Sequence, residues 1–325
     1  MQPLSPAPMR SPQAHDRSPI GVLVMAYGSP RSLAEVEAYY THIRRGRPPT
    51  PEQLADLVAR YRAIGGVSPL RAITLAQADG IARFLADDPD DTYRVYLGMK
   101  HAEPFIDQVV QAMYADGIRE AVTLVLAPHY SSMSVRTYQE AAEAAAVRLG
   151  GPKLLHVDHW HLEPDFLDLL ARRVADAMRA FPDRDRVMVV FTAHSLPERI
   201  LTVGDPYPRQ IRETGEAVAE RLGLRHFAFA WQSAGRTAEP WLGPDILELL
   251  PTLRADGWND VIVCPAGFVA DHLEVLYDID IECQRLAQRL GMQLVRTASL
   301  NADPAFCRML ARVVQARARQ GGMDA

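Results

Sequence analysis

The sequence predicts an α/β protein made of two similar halves, each a parallel sheet with helices on both faces, with a cleft between the halves. Three observations lead to this prediction: apolar runs alternate with helical patterns, a series of motifs occurs twice, and polar side chains follow the apolar runs. With 325 residues and 48% hydrophobic content, the chain is long enough to bury two cores.

Strands of a parallel sheet are buried on both faces and therefore occur as continuous apolar runs. Eight such runs lie near residues 21–27, 93–99, 121–127, 153–158, 186–192, 226–231, 260–265 and 293–298. Apolar residues with a period of about 3.6 indicate helices between these runs. The helical patterns cover residues 32–44, 51–64, 70–86, 104–116, 135–149 and 164–180. The alternation predicts parallel strands joined by crossover helices.

The chain also repeats itself at the level of motifs. LVMAYGSP in the first half parallels VVFTAHSLP in the second, and each half continues through Ala-Glu-Pro and then Ala-Asp-Gly. Matches in the same order predict two similar halves that face each other across a cleft. Aligning Ala26 with Ala193 places Tyr27 and His194 at equivalent strand ends. A phenol and an imidazole would then approach one ligand from opposite sides.

The repeat sets the domain boundaries. Residues 20–152 are expected to form the first half and residues 153–302 the second, and a last helix over 303–319 is expected to pack on the first half. Residues 1–19 contain five prolines and no apolar segment, which predicts a disordered leader rather than a signal peptide.

Charge and cysteine content exclude several classes of protein. A formal net charge of −5 and a pI near 6.1 argue against nucleic-acid binding, which needs a basic face. No apolar run approaches the roughly 18 residues that span a bilayer, so stable membrane insertion is not expected. Cys264, Cys283 and Cys307 are odd in number and widely spaced, which fits a reducing cytoplasm.

The segment Asp271–Glu282, DHLEVLYDIDIE, carries closely spaced acids with no lysine or arginine between them. On a helix, Glu274, Asp278 and Glu282 fall on one stripe, where like charges repel each other. A row of carboxylates suits a hard divalent cation or a path for protons. A solvated acidic helix face explains the same spacing, and the segment alone leaves both interpretations open.

A second candidate is His194, which ends the apolar run of VMVVFTAHSLP. Ligand sites of parallel sheets lie at the carboxyl ends of the strands, and an imidazole titrates near neutrality. For a single residue, a packed and hydrogen-bonded histidine is the plainer interpretation. The combination of His194 with the acidic segment favours a catalytic role.

Basic residues cluster in the first half. YYTHIRRGR contains Arg44, and ARYRAIGGVSPL adds Arg60, Tyr61 and Ser68. The planar fork of arginine binds carboxylates or phosphates, so an anionic ligand would find partners here. Basic residues also offset the dipole at the carboxyl end of a helix, and a solvated helix end explains the cluster equally well.

Nine motifs occur in order between residues 20 and 315: MAYGSP, YYTHIRRGR, RYRAIGGVSPL, LGMKHAEPF, LAPHYSSMSV, TAHSLPERI, GDPYP, WQSAGRTAEPWLGPD and GFVADHLEVLYDIDIEC. Together they resemble the ferrochelatase family, and its coproporphyrin-type branch in particular. The resemblance implies insertion of ferrous iron into a tetrapyrrole. It also implies two Rossmann-like, chelatase-type domains with the active site in the cleft between them.

The resemblance assigns roles to individual residues. His194 and Glu274 would flank the inserted Fe²⁺ as catalytic groups and metal ligands, and Tyr27 would face the metal from the other side, axial to the product iron. Asp278 and Glu282 would extend the polar path outward and form an outer cation site, for instance for Mg²⁺. Further family positions contact the macrocycle or its carboxylates, and they are Arg44, Arg60, Tyr61, Ser68 and Tyr138.

The coproporphyrin-type branch implies coproporphyrin III and Fe²⁺ as substrates and coproheme as the product in haem biosynthesis. The C-terminal sequence VVQARARQGGMDA lacks cysteine, so no iron–sulfur cluster is expected. The resemblance favours a cytoplasmic monomer in transient contact with other haem-pathway enzymes. Two alternatives stay open: a chelatase for protoporphyrin IX or another metal, and a haem-binding or transfer protein without turnover.

Overall fold

The computed structural model describes residues 18–89, 91–235 and 237–322, and eight strands within them form two four-stranded parallel sheets. The strands are β1 (Ile20–Ala26), β2 (Tyr93–Met99), β3 (Glu120–Val125), β4 (Lys153–Val157), β5 (Val187–His194), β6 (Phe227–Gln232), β7 (Asp260–Cys264) and β8 (Gln293–Arg296). The predicted α/β fold with two parallel sheets is confirmed. The predicted disordered leader, residues 1–19, lies outside the described residues except for its last two.

Helices flank both sheets, and each predicted helical pattern contains one. They are α1 (Val36–Ile43), α2 (Pro51–Ala63), α3 (Leu70–Leu85), α4 (Ile106–Ala115), α5 (Val135–Leu149), α6 (Pro164–Ala177), α7 (Arg199–Thr202), α8 (Tyr207–Leu222), α9 (Ile246–Ala255), a π-helix (Glu274–Cys283), α10 (Gln284–Leu290) and α11 (Pro304–Gln320). In the described part of the chain, no helix is both long and apolar enough to cross a membrane.

The two sheets have the same strand order, β2-β1-β3-β4 and β6-β5-β7-β8, which confirms the internal repeat. β1 and β5 are therefore equivalent strands. The repeated Ala-Asp-Gly ends α4 in one half and α9 in the other, where Gly117 and Gly257 adopt φ angles of 83° and 91°. This left-handed conformation is costly for residues with a side chain, which accounts for the glycine in both copies.

The predicted boundary between the halves is wrong for one strand. β4 pairs with β3, Lys153 opposite Glu120 through Val157 opposite Leu124, so it belongs to the first sheet and not to the second half. The sequence of an edge strand does not show to which sheet the strand belongs, because this depends on the strands with which it pairs.

After the second sheet, α11 returns to the first half and packs on α3. The two helices approach closely where Gly80 of α3 faces Cys307 of α11. A Cβ added to Gly80 would lie only 2.6 Å from Cys307 Sγ, so a larger residue would not fit there.

Alternating residues of the two equivalent strands divide the core into layers. Val22 and Val24 of β1 share one buried cluster with Val189 and Phe191 of β5, together with residues of α6 and α11. The opposite faces of the two sheets bury separate clusters. Because burying a large apolar side chain contributes roughly 1.5–3 kcal/mol, the shared cluster ties the halves together. The carboxyl ends of β1 and β5 are held by one common core.

Candidate active site

His194 is the last residue of β5, at the carboxyl end of that strand. The seven residues before it are buried, whereas 33% of the His194 side chain is exposed. Its Nδ1 lies against the carbonyl oxygen of Ser195, and the hydroxyl of Tyr207 donates a hydrogen bond of 3.0 Å to the carbonyl oxygen of His194. These contacts leave Nε2 for Glu274, whose Oε1 lies 3.6 Å away.

Glu274 is the first residue of the π-helix. The sequence predicts a helix here, but the α-helical period on which that prediction depends is wrong for this segment. The hydrogen bonds of a π-helix join residues five apart, and such turns are frequent at functional sites. The second oxygen of Glu274, Oε2, lies 3.6 Å from His272 Nε2. Gln232 holds the start of the helix by donating a hydrogen bond of 3.1 Å to the Glu274 carbonyl.

His194 and Glu274 form a charged pair at neutral pH. Burial disfavours the charged imidazole, but Glu274, helped by the Ser195 carbonyl and by Asp278, raises the pKa of His194 to about 9. Burial also disfavours the Glu274 carboxylate, but His194 and His272 hold the pKa of Glu274 well below its usual range. An opposite charge at this distance stabilises both charged forms. The resting pair is therefore an imidazolium and a carboxylate.

Asp278 lies one turn further along the π-helix and is 9% exposed. The hydroxyl of Ser233 donates a hydrogen bond to its Oδ2, and Arg60 Nη1 lies 3.9 Å from its Oδ1. Burial outweighs these contacts and, with the nearby charges of Glu274 and Glu282, raises the pKa of Asp278 to about 7. Asp278 therefore exchanges a proton near neutrality. Glu282, the third acid of the row, is partly exposed.

Tyr27 follows β1 at the equivalent end of the first sheet, and 40% of it is exposed. The centre of its ring lies 4.6 Å from that of His101. Desolvation by the surrounding protein, followed by the charge on Glu274, raises the pKa of Tyr27 well above its usual value, so the phenol is protonated at neutral pH. Tyr27 and Glu274 thus lie within electrostatic range of each other, one in each half.

The two predicted arginines differ in their surroundings. Arg60, in the last turn of α2, lies 3.2 Å from Asp56 and 3.9 Å from Asp278, so it joins the first half to the acid row. Arg44, at the end of α1, donates a hydrogen bond of 3.3 Å from Nε to the Arg47 carbonyl. The structure therefore brings Arg60 to the row formed by Glu274, Asp278 and Glu282, which we call the acid row. Arg44 contacts neighbours in its own helical turn instead.

Three further predicted ligand contacts are buried: Tyr61 is 2% exposed, Ser68 7% and Tyr138 6%. Ser68 Oγ accepts a hydrogen bond of 3.2 Å from the Leu70 amide at the start of α3, and Lys100 Nζ lies 4.9 Å from the ring centre of Tyr138. Burial raises the pKa of both Tyr61 and Tyr138, followed by the charge on Glu274 for Tyr61 and by Tyr27 and then Glu274 for Tyr138. These side chains therefore lie near the pair but offer a ligand little surface.

His272 and Ser233 belong to this arrangement, although the sequence interpretation missed both. His272 stands two residues before Glu274 in the same motif, and Ser233 directly follows β6, so the strand-end rule that selects His194 would also have selected Ser233. Among the residues that the structure describes, no three His, Cys, Asp or Glu side chains converge on a metal position. The site offers an incoming ion two protein groups, His194 and Glu274, and leaves its other positions open.

Solved structures that resemble this chain define its class by fold. SirB from Bacillus subtilis with Fe³⁺ aligns with a TM-score of 0.61 at 12% identity, covering 94% of this chain and 98% of that one. The sirohydrochlorin chelatase SirB from Bacillus subtilis subspecies spizizenii, in complex with cobalt, aligns with a TM-score of 0.58 at 12% identity, covering 93% and 97%. This likeness shows that the chain has the two-domain chelatase fold.

The family model for ferrochelatase matches residues 19–318, and the chain belongs to the ferrochelatase family. The coproporphyrin III ferrochelatase of Geobacillus kaustophilus (strain HTA426) is 49% identical over 306 residues, covering 93% of this chain and 97% of that protein. The coproporphyrin III ferrochelatase of Bacillus subtilis (strain 168) is 46% identical over 302 residues, covering 92% and 97%. The family indicated by the sequence motifs is confirmed.

Proposed function

We propose that this protein inserts Fe²⁺ into coproporphyrin III, with loss of the two pyrrole protons, and so makes coproheme for haem biosynthesis. The observation that carries the proposal is the His194–Glu274 pair at the end of β5, within electrostatic range of Tyr27. The names of relatives that are 46% and 49% identical support the choice of metal and porphyrin. A base, a metal ligand and an axial oxygen are the groups that this reaction uses.

Metal insertion starts from the charged pair. His194 is protonated in the resting cleft because its pKa is raised to about 9. Fe²⁺ that binds the Glu274 carboxylate brings positive charge beside the imidazolium and lowers the affinity of His194 for its proton. His194 then passes that proton outward through Asp278 to solvent and, as a neutral base, accepts the two pyrrole protons in turn, passing the first outward before it takes the second. The pair thereby couples the arrival of the metal to the removal of protons.

The acid row gives protons and cations a route away from the pair. With a pKa of about 7, Asp278 accepts and releases a proton at neutral pH, and Glu282 continues the row. The same two carboxylates suit an outer Mg²⁺, which keeps several waters and binds proteins through one or two carboxylates. Burial, and after it the negative charges of Glu274 and Glu282, raises the pKa of Asp278, and a cation bound between Asp278 and Glu282 would offset those charges.

The porphyrin is held by its propionates. Arg44 and Arg60 bind these carboxylates through charge-assisted hydrogen bonds, and Tyr61, Ser68 and Tyr138 support the wall behind the ring. Binding energy gained at the propionates is then available to bend the macrocycle so that its nitrogens face the metal. These proposed contacts predict that kcat/KM depends on the number of propionates that the substrate carries.

The porphyrin preference tests the proposed function. We expect a higher kcat/KM with Fe²⁺ for coproporphyrin III, which has four propionates, than for protoporphyrin IX, which has two. Replacing Arg44 or Arg60 by Ala should lower kcat/KM for coproporphyrin III by roughly tenfold or more, since a hydrogen bond to a charged group contributes about 1.5–3 kcal/mol. The loss for protoporphyrin IX should be smaller.

A matched control for these variants is Arg62→Ala, since Arg62 is exposed on the same helix as Arg60. Its kcat/KM should stay at the wild-type value for both porphyrins. Equal losses for both porphyrins in Arg60→Ala would indicate damage to α2 and contradict the proposed propionate contact.

Tyr27→Phe tests the axial position. A phenolate oxygen is an axial ligand of haem iron in other proteins, and ferric iron displaces the proton that the raised pKa of Tyr27 otherwise retains. The variant should change the visible spectrum of bound ferric coproheme and release it faster, with little change in binding of metal-free coproporphyrin III. Tyr114→Phe, an exposed tyrosine on α4, is the control. An unchanged spectrum together with unchanged release would show that the phenol does not bind the iron.

The proposal also covers the absence of an iron–sulfur cluster, the cellular location and the oligomeric state. Cys264, Cys283 and Cys307 are buried thiols on three separate elements, which supports an enzyme without an iron–sulfur cluster. We expect a cytoplasmic monomer that releases coproheme through transient contact with other enzymes of the haem pathway.

A further inference from the structure

Arg296, the last residue of β8, binds an aspartate on each side of Glu274 in the sequence. Its Nε and Nη2 lie 2.7 and 2.9 Å from the two carboxylate oxygens of Asp280, within the π-helix. Its Nη1 lies 3.2 Å from Oδ1 of Asp271, before the helix begins. Only 14% of the Arg296 side chain is exposed, so this largely buried guanidinium bridges a residue before the π-helix and the seventh of its ten residues.

Asp271 is itself held in place by the loop after β8. It accepts hydrogen bonds of 2.7 Å from Ser299 Oγ and 2.9 Å from Asn301 Nδ2, and its amide donates to Asn301 Oδ1 at 2.8 Å. Gln77 of α3, in the first half of the protein, donates a hydrogen bond of 2.9 Å to the Asn301 carbonyl. The anchor of the π-helix therefore reaches both halves.

A π-helix of ten residues needs such external support. Its hydrogen bonds are less favourable than those of an α-helix, and π-helical structure mostly occurs as single turns. The bidentate contact to Asp280 fixes the middle of the helix to β8 through a geometry that only the guanidinium fork provides. Loss of this contact would let the segment shift toward α-helical hydrogen bonding and move its side chains around the axis.

Arg296 also divides the acids of the segment into two groups. Asp271 and Asp280 share its single positive charge, whereas Glu274 faces His194 and His272, and Asp278 faces Ser233 and Arg60. The segment has no lysine or arginine of its own, and β8 supplies a positive charge to two of its acids. The acids that remain are those of the proposed metal and proton route.

We propose that Arg296 is a positioning residue for metal insertion. By binding Asp271 and Asp280 across the π-helix, it holds Glu274 at its distance of 3.6 Å from both His194 and His272. This inference rests on the proposed function for its kinetic consequence, while its structural part concerns the π-helix alone. Arg296 contacts Asp271 and Asp280 and is not among the proposed porphyrin contacts. Its loss should therefore impair binding of the metal and leave binding of the porphyrin unchanged.

The test compares Arg296→Ala, Arg296→Lys and wild type with Fe²⁺ under anaerobic conditions and with Zn²⁺. In Arg296→Ala we expect the KM for metal to rise by roughly 10- to 100-fold, the range for residues that orient metal ligands, with the Kd for coproporphyrin III little changed. Amide hydrogen exchange over residues 275–283 should accelerate. Arg296→Lys keeps the positive charge but lacks the guanidinium fork. Its KM for metal and its exchange rate should lie between those of wild type and of Arg296→Ala.

Arg296→Ala also leaves two aspartates without their partner, which can destabilise the fold. The double variant Asp280→Asn, Arg296→Met keeps the net charge of the cluster and the hydrogen bonds of Asp271 to Ser299 and Asn301, and it retains the loss of the tether. We expect it to be as stable as wild type and still impaired in the KM for metal. Arg225→Ala, which breaks an exposed ion pair with Asp185, is the control for loss of an arginine.

An unchanged KM for metal in the double variant, with unchanged exchange over 275–283, would overturn the proposal and leave Arg296 a structural residue only. Absence of any metal insertion by the wild-type protein would contradict the proposed function instead. In that case accelerated exchange over 275–283 still supports the positioning role, and unchanged exchange still overturns it.

Discussion

His194→Ala is expected to lower the rate of iron insertion by roughly 10²- to 10⁴-fold, the usual loss for a general acid–base group. The reason is that His194, whose Nε2 lies 3.6 Å from Glu274 at the end of β5, is the proposed acceptor of the pyrrole protons, which its loss removes. Binding of metal-free coproporphyrin III should be retained, because the ring is held by its propionates. Anaerobic initial rates and a porphyrin fluorescence titration measure the two quantities separately.

The matched control is His159→Ala, an exposed histidine in the loop after β4, which should insert iron at the wild-type rate. Retention of the wild-type rate by His194→Ala at every pH would contradict the assignment of His194 as the base. A parallel loss of porphyrin binding would indicate that the cleft is disturbed rather than that a base is missing.

Glu274→Gln should lower the rate of metal insertion by roughly 10²-fold or more and also change its pH dependence. In wild type, the neutral form of His194 increases as the pH rises toward about 9, so kcat/KM for metal should increase over this range. Glutamine removes the negative charge that raises the pKa of His194, and the rise in kcat/KM should then occur at lower pH. Zn²⁺ at a fixed free concentration avoids the oxidation of iron during the measurement.

Glu216→Gln, an exposed glutamate on α8, is the control and should preserve both the rate and its pH dependence. A Glu274→Gln enzyme whose pH profile coincides with that of wild type would show that Glu274 does not set the pKa of His194.

Most of the fold could be predicted from the sequence because its signal is local and repeated. The apolar run of β1 is buried on both faces, and the same is true of β5 up to His194, so both appear as continuous hydrophobic segments. The strand order is the same in both sheets, as the repeated motifs indicated. β4 was assigned to the wrong half because pairing across a sheet edge is a tertiary property that the residues of one strand do not encode.

His194 and Glu274 could be singled out from the sequence, but the contact between them could not. His194 and Glu274 are separated by 80 positions, and only the two-sheet fold brings them to 3.6 Å. The π-helical form of Glu274–Cys283 was not predictable, because spacing of acids by four fits both kinds of helix. The burial of Tyr61 and Ser68 likewise depends on packing across elements.

As a coproporphyrin III ferrochelatase, the protein converts coproporphyrin III and Fe²⁺ to coproheme over many turnovers and releases two protons for each iron inserted. The direct test is an anaerobic assay in which both substrates are in large excess over the protein and coproheme and protons are counted together. We expect many equivalents of coproheme per chain, with two protons released for each. Formation that stops at one equivalent per chain, or uptake of preformed coproheme without metallation, would contradict it and indicate a haem-binding protein.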